Sequence, residues 1–107
     1  ILGEKLDDNL ILVKKAVEKP KEPISHLAIM PIYIFSPKIY DALKKTEPGP
    51  RGEIELTDGI AKIIEDGGEV LALKMSKDDI WIDVGTFDTY REAIETTIKI
   101  VLRREGE

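Results

Sequence analysis

The chain has 107 residues, a length that suits one small domain with one modest hydrophobic core. Sixteen Lys and Arg stand against twenty-one Asp and Glu, so the net charge is -5 and the two signs are interspersed. This pattern excludes the clustered basic surface of a nucleic-acid-binding protein. It does not exclude small phosphates, because a local pair of cationic side chains or a metal ion can hold a phosphate on an acidic protein.

Two residue types limit the chemistry. The chain has no Cys, which excludes disulfides, thiolate metal ligands and a thiol nucleophile. His26 is the only histidine, so a metal would be bound by oxygen ligands, a set that favours Mg²⁺ or a similar hard cation.

The longest apolar run, residues 27–35, is too short to cross a bilayer as a helix. With no signal peptide visible, we expect a cytoplasmic protein without membrane contact.

The start of the chain and its composition each suggest an expectation. The sequence opens on Ile1-Leu2 without Met, like the tail of a strand, and we therefore expect a fragment of a longer protein. Charged residues make up 35% of the chain, Asn9 is the only Asn and Gln is absent. This bias is typical of heat-adapted proteins and predicts a thermophile.

The first elements read as a hairpin followed by a linker. Apolar residues at 1–2 and 10–17 flank a polar turn at 4–9 and predict two antiparallel strands. Residues 18–23 contain two prolines, which exclude a helix and favour extended or turn conformation. An ordinary solvated linker is one interpretation of that segment, and a ligand-binding strand end is the other.

A strand and a short helix come next. Residues 27–35 are rich in β-branched and aromatic side chains and predict a buried strand, with a bulge or a one-sided pairing where Pro31 lacks an N–H. Ser36 with Pro37 predicts a helix start, in which the Ser hydroxyl caps and Pro takes the first helical position. This helix is expected to end near Lys45.

The centre of the chain is predicted to be a loop followed by a second helix. The loop at 46–53 holds Arg51 between Pro50 and Gly52, where its guanidinium could bind a phosphate or serve only solubility. Thr57 is expected to cap a helix over 58–66. Its end is predicted at the Gly pair 67–68.

The last third is predicted to contain two strands and a long helix. Residues 70–75 are almost continuously apolar, as in a strand covered on both faces, and residues 80–84 predict a further strand. Thr86 is expected to cap a helix over 87–102, whose apolar residues recur at helical spacing.

Asp83 lies near the C-terminal end of the last predicted strand. In an open α/β sheet, ligands bind in the crevice beyond these ends, so Asp83 is a candidate for chemistry. The competing interpretation is a solvated turn former that binds nearby backbone amides.

Other polar residues stand at predicted strand ends or in loops and widen this candidate site: Glu18, Lys19, Arg51 and Glu53. Together with Asp83 they would supply a carboxylate for a metal, two cations for phosphate and a carboxylate for sugar hydroxyls. Such a set suits a phosphorylated polyol.

Four motifs in this order resemble the sugar-phosphate nucleotidyltransferases, which include the glucose-1-phosphate thymidylyltransferases and uridylyltransferases. The motifs are VEKP at 17–20, SHLA at 25–28 leading into IYIF at 32–35, RGEIELTD at 51–58, and WIDVGT at 81–86. The resemblance covers about residues 10–102.

This resemblance implies an α/β chain with a partial Rossmann-like nucleotidyltransferase fold, a mixed sheet and flanking helices. It implies transfer of a nucleotidyl group from a nucleoside triphosphate to a sugar 1-phosphate, with Mg²⁺ as cofactor and pyrophosphate released. The family's glycine-rich triphosphate loop and its second metal-binding Asp are not found in the sequence. Residues 1–107 are therefore expected to be one domain, the C-terminal sugar-phosphate-binding portion, inactive without the N-terminal nucleotide-binding portion.

The resemblance also implies a role for individual residues. Asp83 and Lys19 would be catalytic, Asp83 as a metal ligand and Lys19 on the sugar phosphate. The substrate-binding residues would be Glu18 on the sugar hydroxyls, Lys19, the backbone of Ile29 and the ring of Tyr33 in the sugar pocket, Arg51 near the phosphate, and Trp81 in the wall beside Asp83.

The sequence departs from the family at two positions, because the family usually has Asn where His26 stands and Gly where Pro31 stands. These departures leave an alternative open, a non-catalytic regulatory or assembly module of the same fold. In either case, strand edges and apolar faces left without the missing portion predict self-association.

Overall fold

The computed structural model of the protein describes residues 1–49 and 52–105. The described residues divide into two compact units, one spanning Ile1–Met75 and one that begins at Ser76. Within them lie three strands and three helices: β1 (Leu2–Lys5), β2 (Leu10–Lys15), α1 (Lys38–Lys44), α2 (Leu56–Glu65), β3 (Leu71–Leu73) and α3 (Phe87–Glu105). The predicted α/β class is confirmed.

The predicted hairpin is confirmed, with β1 antiparallel to β2. Its turn is closed by the Leu6 N–H, which donates to the Leu10 carbonyl at 2.9 Å. The pairing contains a bulge next to Gly3, where the two backbones come close. A Cβ at Gly3 would lie 2.5 Å from the Leu12 carbonyl oxygen, so only glycine fits this register.

The strand predicted at 70–75 forms over the shorter range of β3 and pairs antiparallel with β2. The prediction that both of its faces are covered is wrong. Ala72 pairs with the buried Ile11, so these two residues share the covered face. Leu71 and Leu73 point to the other face and are 50% and 77% exposed.

Helices α1 and α2 are packed together through small and branched residues. Ile39 and Ala42 of α1 and Ile60 of α2 are buried. Gly59 permits the close approach, because a Cβ there would lie 2.6 Å from Leu43 Cδ2. α2 also packs against β2, which places the core of this unit between the sheet and the two helices.

Both predicted N-caps in this unit are wrong in detail, although both helices are present. α1 begins at Lys38 with Pro37 as N-cap, and the Ser36 backbone carbonyl, not its hydroxyl, accepts from the Ile39 N–H at 3.1 Å. α2 begins at Leu56, so Thr57 lies inside the first turn and its hydroxyl is free to bond elsewhere.

The predicted end of α2 is confirmed. Gly67 has a φ of +81°. Its N–H donates to the Ile64 carbonyl at 3.0 Å, and the Gly68 N–H donates to the Ile63 carbonyl at 2.8 Å. These two bonds define a Schellman motif, which requires the left-handed backbone that glycine adopts without strain.

Two predicted strands are not formed. In residues 27–35 the Ile32 N–H donates to the Met30 carbonyl at 2.8 Å, a γ-turn centred on Pro31, and Ile34 is fully exposed. Residues 80–84 are also irregular. Neither segment has a ladder partner among the described residues, and an apolar run forms a strand only when another strand satisfies its backbone. The expected mixed sheet is therefore an antiparallel one in the described residues.

In the second unit the predicted helix is confirmed as α3, and Thr86 caps it as expected. The Thr89 N–H donates to Thr86 Oγ1 at 3.2 Å, and the Thr86 N–H donates to Thr89 Oγ1 at 2.9 Å. This reciprocal pair satisfies the first backbone donors of the helix.

Among the described residues, no helix combines the length and apolar character needed to cross a membrane.

Candidate functional site

The first unit contains a groove of about 540 Å³ beside the end of β2. Its walls come from four parts of the chain: the residue before β1, the segment after β2, the irregular segment that follows it, and the first turn of α2. The lining residues are Ile1, Val17, Glu18, Lys19, Pro20, Pro23, Ile24, Ser25, His26, Leu27, Ala28, Ile29, Tyr33 and Thr57.

Glu18 is the fixed carboxylate of this groove. It lies three residues after Lys15, the last residue of β2, and two after the buried Ala16. Thr57 Oγ1 donates to Glu18 Oε2 at 2.7 Å, the usual length of an O–H···O hydrogen bond. Because Thr57 lies in the first turn of α2, the carboxylate also stands at the positive end of that helix.

Lys19 places a cation beside this carboxylate. Its Nζ lies 3.9 Å from Glu18 Oε1, and its side chain is largely exposed. Its φ is +38°, which makes it the only described residue other than Gly with positive φ. Such a backbone costs about 1–2 kcal/mol for a residue with a Cβ. Non-glycine residues with this strain cluster at functional sites.

The irregular segment supplies the less polar wall. The Ser25 hydroxyl attaches it to the residue before β1 by donating to the Ile1 carbonyl, and within the segment the Leu27 N–H donates to Ser25 Oγ at 3.1 Å. Tyr33 stacks on Phe35 with ring centroids 5.3 Å apart and an interplanar angle of 15°. Stacking orients the tyrosine ring that lines the groove.

Four of the predicted site residues thus line one groove, namely Glu18, Lys19, Ile29 and Tyr33. Arg51 lies outside the described residues. Trp81 and Asp83 belong to the second unit, where both are exposed.

The predicted Mg²⁺ site depends on the His, Asp and Glu side chains that the described residues supply. In residues 1–49 and 52–105, no group of three or more His, Asp and Glu side chains is arranged to hold a metal ion. One exposed carboxylate, Asp83, does not make a binding site for a hard divalent cation, which takes six or more oxygen ligands. The described residues alone therefore do not fit a bound Mg²⁺.

Thr57 and His26 are groove residues to which the sequence assigns no substrate-binding role. The sequence predicts Thr57 as a helix cap, and His26 is a departure from the family pattern. The signal for Thr57 was its place in the RGEIELTD motif at 51–58, six residues after Arg51. What the sequence could not show is that this motif and VEKP at 17–20 meet in space.

Comparison with known proteins agrees with these motifs. Residues 5–100 match the family model described as nucleotidyl transferase, and the chain belongs to this family. The resemblance found in the sequence is thereby confirmed.

The chain is similar to parts of longer enzymes. It is 43% identical over 95 residues to a UTP–glucose-1-phosphate uridylyltransferase of Pseudomonas aeruginosa, covering 87% of this chain and 33% of that one. It is 33% identical over 82 residues to a glucose-1-phosphate thymidylyltransferase of Streptomyces antibioticus, covering 77% of this chain and 22% of that one. The chain thus spans a third or less of the length of these two relatives.

A solved structure supports the same fold. The crystal structure of a UDP-glucose pyrophosphorylase complexed with UDP-glucose superimposes with a TM-score of 0.80 at 30% identity. The match covers 91% of this chain and 36% of that chain. The predicted nucleotidyltransferase fold is confirmed.

Proposed function

We propose that this chain is the sugar-phosphate-binding portion of a cytoplasmic sugar-1-phosphate nucleotidyltransferase. In this reaction a phosphate oxygen of the sugar 1-phosphate attacks the α-phosphorus of a nucleoside triphosphate, forming a nucleotide sugar and releasing pyrophosphate. One observation carries the proposal: Glu18, Lys19, Ile29 and Tyr33 line a single groove in a chain of the nucleotidyl transferase family. Glucose 1-phosphate is the substrate we propose, because it is named in the relatives.

The groove residues would act by binding and orienting the sugar phosphate. The exposed Lys19 ammonium would hold the phosphate. Glu18 Oε1, which has no hydrogen bond among the described residues, would accept one from a sugar hydroxyl. The Tyr33 ring and the Ile29 backbone would line the sugar. Phosphoryl chemistry needs little proton transfer from the protein, so alignment and charge neutralisation supply most of the rate.

The remaining predicted residues are part of the same proposal. Arg51 would approach the phosphate, and Trp81 would form a wall beside Asp83. Asp83 would give one carboxylate to Mg²⁺, with a second Asp from a part of the enzyme that this chain does not contain. Mg²⁺ would neutralise the triphosphate. No step is assigned to the metal here, because the described residues do not form its site.

The chain spans 33% of the uridylyltransferase that it resembles, which supports its being a portion of an enzyme. We propose that the triphosphate is bound by another portion and that the chain alone is inactive. We also propose that it self-associates, or pairs with that other portion, through apolar surface such as the 77%-exposed Leu73 at the edge strand β3.

Ligand binding to the chain itself tests whether the groove holds glucose 1-phosphate. Titration of glucose 1-phosphate, followed by amide chemical shifts, should move signals of residues 17–19 and 25–29. Lys19→Ala should weaken binding about tenfold, which is about 1.4 kcal/mol. Lys21→Ala is the matched control, since Lys21 is an exposed lysine outside the groove and should leave binding unchanged. Equal effects of the two variants would contradict the assignment.

A pyrophosphate-release assay tests the proposed nucleotidyltransferase activity. The full-length protein that carries this chain should release pyrophosphate from UTP or dTTP with glucose 1-phosphate and Mg²⁺, whereas the isolated chain should release none. Asp83→Asn should lower kcat at least about a hundredfold if the carboxylate holds the metal, and Asp88→Asn should not. No pyrophosphate release from the full-length protein with either triphosphate would favour a regulatory or assembly module.

A further inference from the structure

We propose that Thr57 is a positioning residue: its hydroxyl sets the orientation of Glu18, and through Glu18 it sets selectivity for a sugar hydroxyl. This role rests on the proposed function, because it assigns Glu18 to sugar recognition. It adds a residue from α2 to a site whose other members come from the segments after β2.

The hydrogen bond that supports this role joins two distant parts of the chain. Thr57 and Glu18 are 39 positions apart, and the bond from Thr57 Oγ1 to Glu18 Oε2 measures 2.7 Å. Thr57 is 7% exposed, while the Glu18 side chain retains 30% of its accessible surface. The donor is therefore held by packing, and the acceptor faces the groove on its other side.

The direction of the Thr57 hydroxyl differs from the ordinary choice of a threonine at a helix. Thr46 donates to the Ala42 carbonyl at 2.9 Å and Thr97 donates to the Ala93 carbonyl at 2.8 Å, both four residues earlier. The Thr57 hydroxyl donates instead to a carboxylate on another element. A bond of this kind restrains a side chain that would otherwise sample several rotamers in the groove.

The arrangement divides the two oxygens of Glu18 between two tasks. Oε2 accepts from Thr57, and Oε1 faces Lys19 Nζ at 3.9 Å, which is too long for a hydrogen bond. Among the described residues Oε1 makes an ion pair with Lys19 and no hydrogen bond, so it can accept from a ligand hydroxyl next to the proposed phosphate-binding cation. A fixed acceptor discriminates against a ligand that lacks the hydroxyl, because the carboxylate is then left unpaired.

The test compares two ligands and two variants of the chain. Thr57→Val keeps the shape of the side chain and removes the hydroxyl, whereas Thr57→Ser keeps the hydroxyl. We expect Thr57→Val to raise the Kd for glucose 1-phosphate about tenfold, or about 1.4 kcal/mol, and to leave the Kd for inorganic phosphate unchanged. Thr57→Ser should stay within about threefold of wild type for both ligands.

A purely structural role of Thr57 gives a different pattern. In that case Thr57→Val would lower the melting temperature and would weaken the binding of glucose 1-phosphate and of inorganic phosphate equally. That result would overturn the proposal. In a Glu18→Gln background, Thr57→Val should have no further effect on the Kd for glucose 1-phosphate, because the coupled partner is already changed. Additive effects in the double variant would also overturn it.

Failure of this role is distinguishable from failure of the proposed function. If wild type binds glucose 1-phosphate and Thr57→Val binds it equally well, only the role of Thr57 is overturned. If wild type does not bind glucose 1-phosphate, the proposed function fails and this role fails with it. Thr57→Ala, which cannot overpack the site, provides the same comparison should Thr57→Val not fold.

Discussion

Lys45 and Asp66 join the C-terminal ends of α1 and α2, with Lys45 Nζ 3.1 Å from Asp66 Oδ2. Lys62, one turn before Asp66 on α2, lies 3.4 Å from its Oδ1. The hydrogen bond from Lys45 lowers the pKa of Asp66 below its ordinary value of 3.8, and the charges of Lys45 and Lys62 add to this effect. The pair therefore stabilises the packing of α1 on α2, and Thr57 lies in the first turn of α2.

The first prediction concerns Asp66→Asn and pH. A carboxyl whose pKa is lower in the folded state stabilises that state above its unfolded pKa of 3.8, and the contribution is lost as pH falls through the lower folded value. The melting temperature of wild type should therefore exceed that of the variant at about pH 6, and the difference should shrink as the pH falls below 3.8.

Thermal melts followed by circular dichroism over this pH range measure the gap. Glu69→Gln serves as the control, since Glu69 is an exposed carboxylate on the loop before β3. The gap should also shrink in high salt, because the pair is partly exposed. A gap that widens as pH falls would contradict the lowered pKa.

The second prediction concerns Gly3→Ala in β1. The added Cβ would meet the Leu12 carbonyl oxygen at 2.5 Å, and a backbone atom of a paired strand cannot move without disturbing the register. We expect the free energy of unfolding to fall by about 1–3 kcal/mol. Gly85→Ala is the matched control, because a Cβ at Gly85 meets nothing within 4 Å. Chemical denaturation measures the free energy of unfolding of both variants. Equal values would contradict the predicted clash at Gly3.

The third prediction separates stability from binding at Lys19. Lys19→Gly should relieve the cost of the +38° φ and raise the free energy of unfolding by up to about 1 kcal/mol. The same change removes the cation, so the Kd for glucose 1-phosphate should rise about tenfold. Lys21→Gly, where φ is not positive, should gain no stability and keep the Kd. A loss of stability in Lys19→Gly would contradict the strain.

The fourth prediction concerns the start of α3. Thr86→Ala removes the hydroxyl that accepts from the Thr89 N–H, and it should lower the stability of the helix by about 1 kcal/mol. Amide hydrogen exchange at Thr89 and Tyr90 should become faster. Thr97→Ala, in the middle of the same helix, should not speed exchange at these residues, since its hydroxyl bonds only the Ala93 carbonyl. Unchanged protection in Thr86→Ala would contradict the cap.

Much of the fold could be predicted from the sequence where local patterns were sufficient. The hairpin, the Gly67 helix end and the Thr86 cap depend on neighbouring residues, and the structure confirms all three. Thr57 shows the limit: a Thr before Asp at a helix start favours a cap, yet the helix begins at Leu56, two residues before the predicted start, and the Thr57 hydroxyl bonds Glu18. The competing acceptor is far away in the chain, so no local pattern reports it.

In the candidate site, too, the sequence indicates the residues but not which of them meet in space. The motifs placed Glu18 and Lys19 among substrate-binding residues, but only the folded chain brings them into one groove with Tyr33. Residues 27–35 and 80–84 have the composition of strands, and the structure leaves both irregular. A strand needs a partner for its backbone groups, whereas composition reports only the side chains.

The sequence by itself thus determined the family, the order of its motifs and the elements whose hydrogen bonds are local. The tertiary structure alone decided which carboxylate oxygen is already bonded, where Lys19 takes a strained backbone, and which apolar runs lack a ladder partner. The physical reason is that these features depend on groups far apart in the chain, whose meeting is set by the packing of α1 and α2 and of α2 on β2.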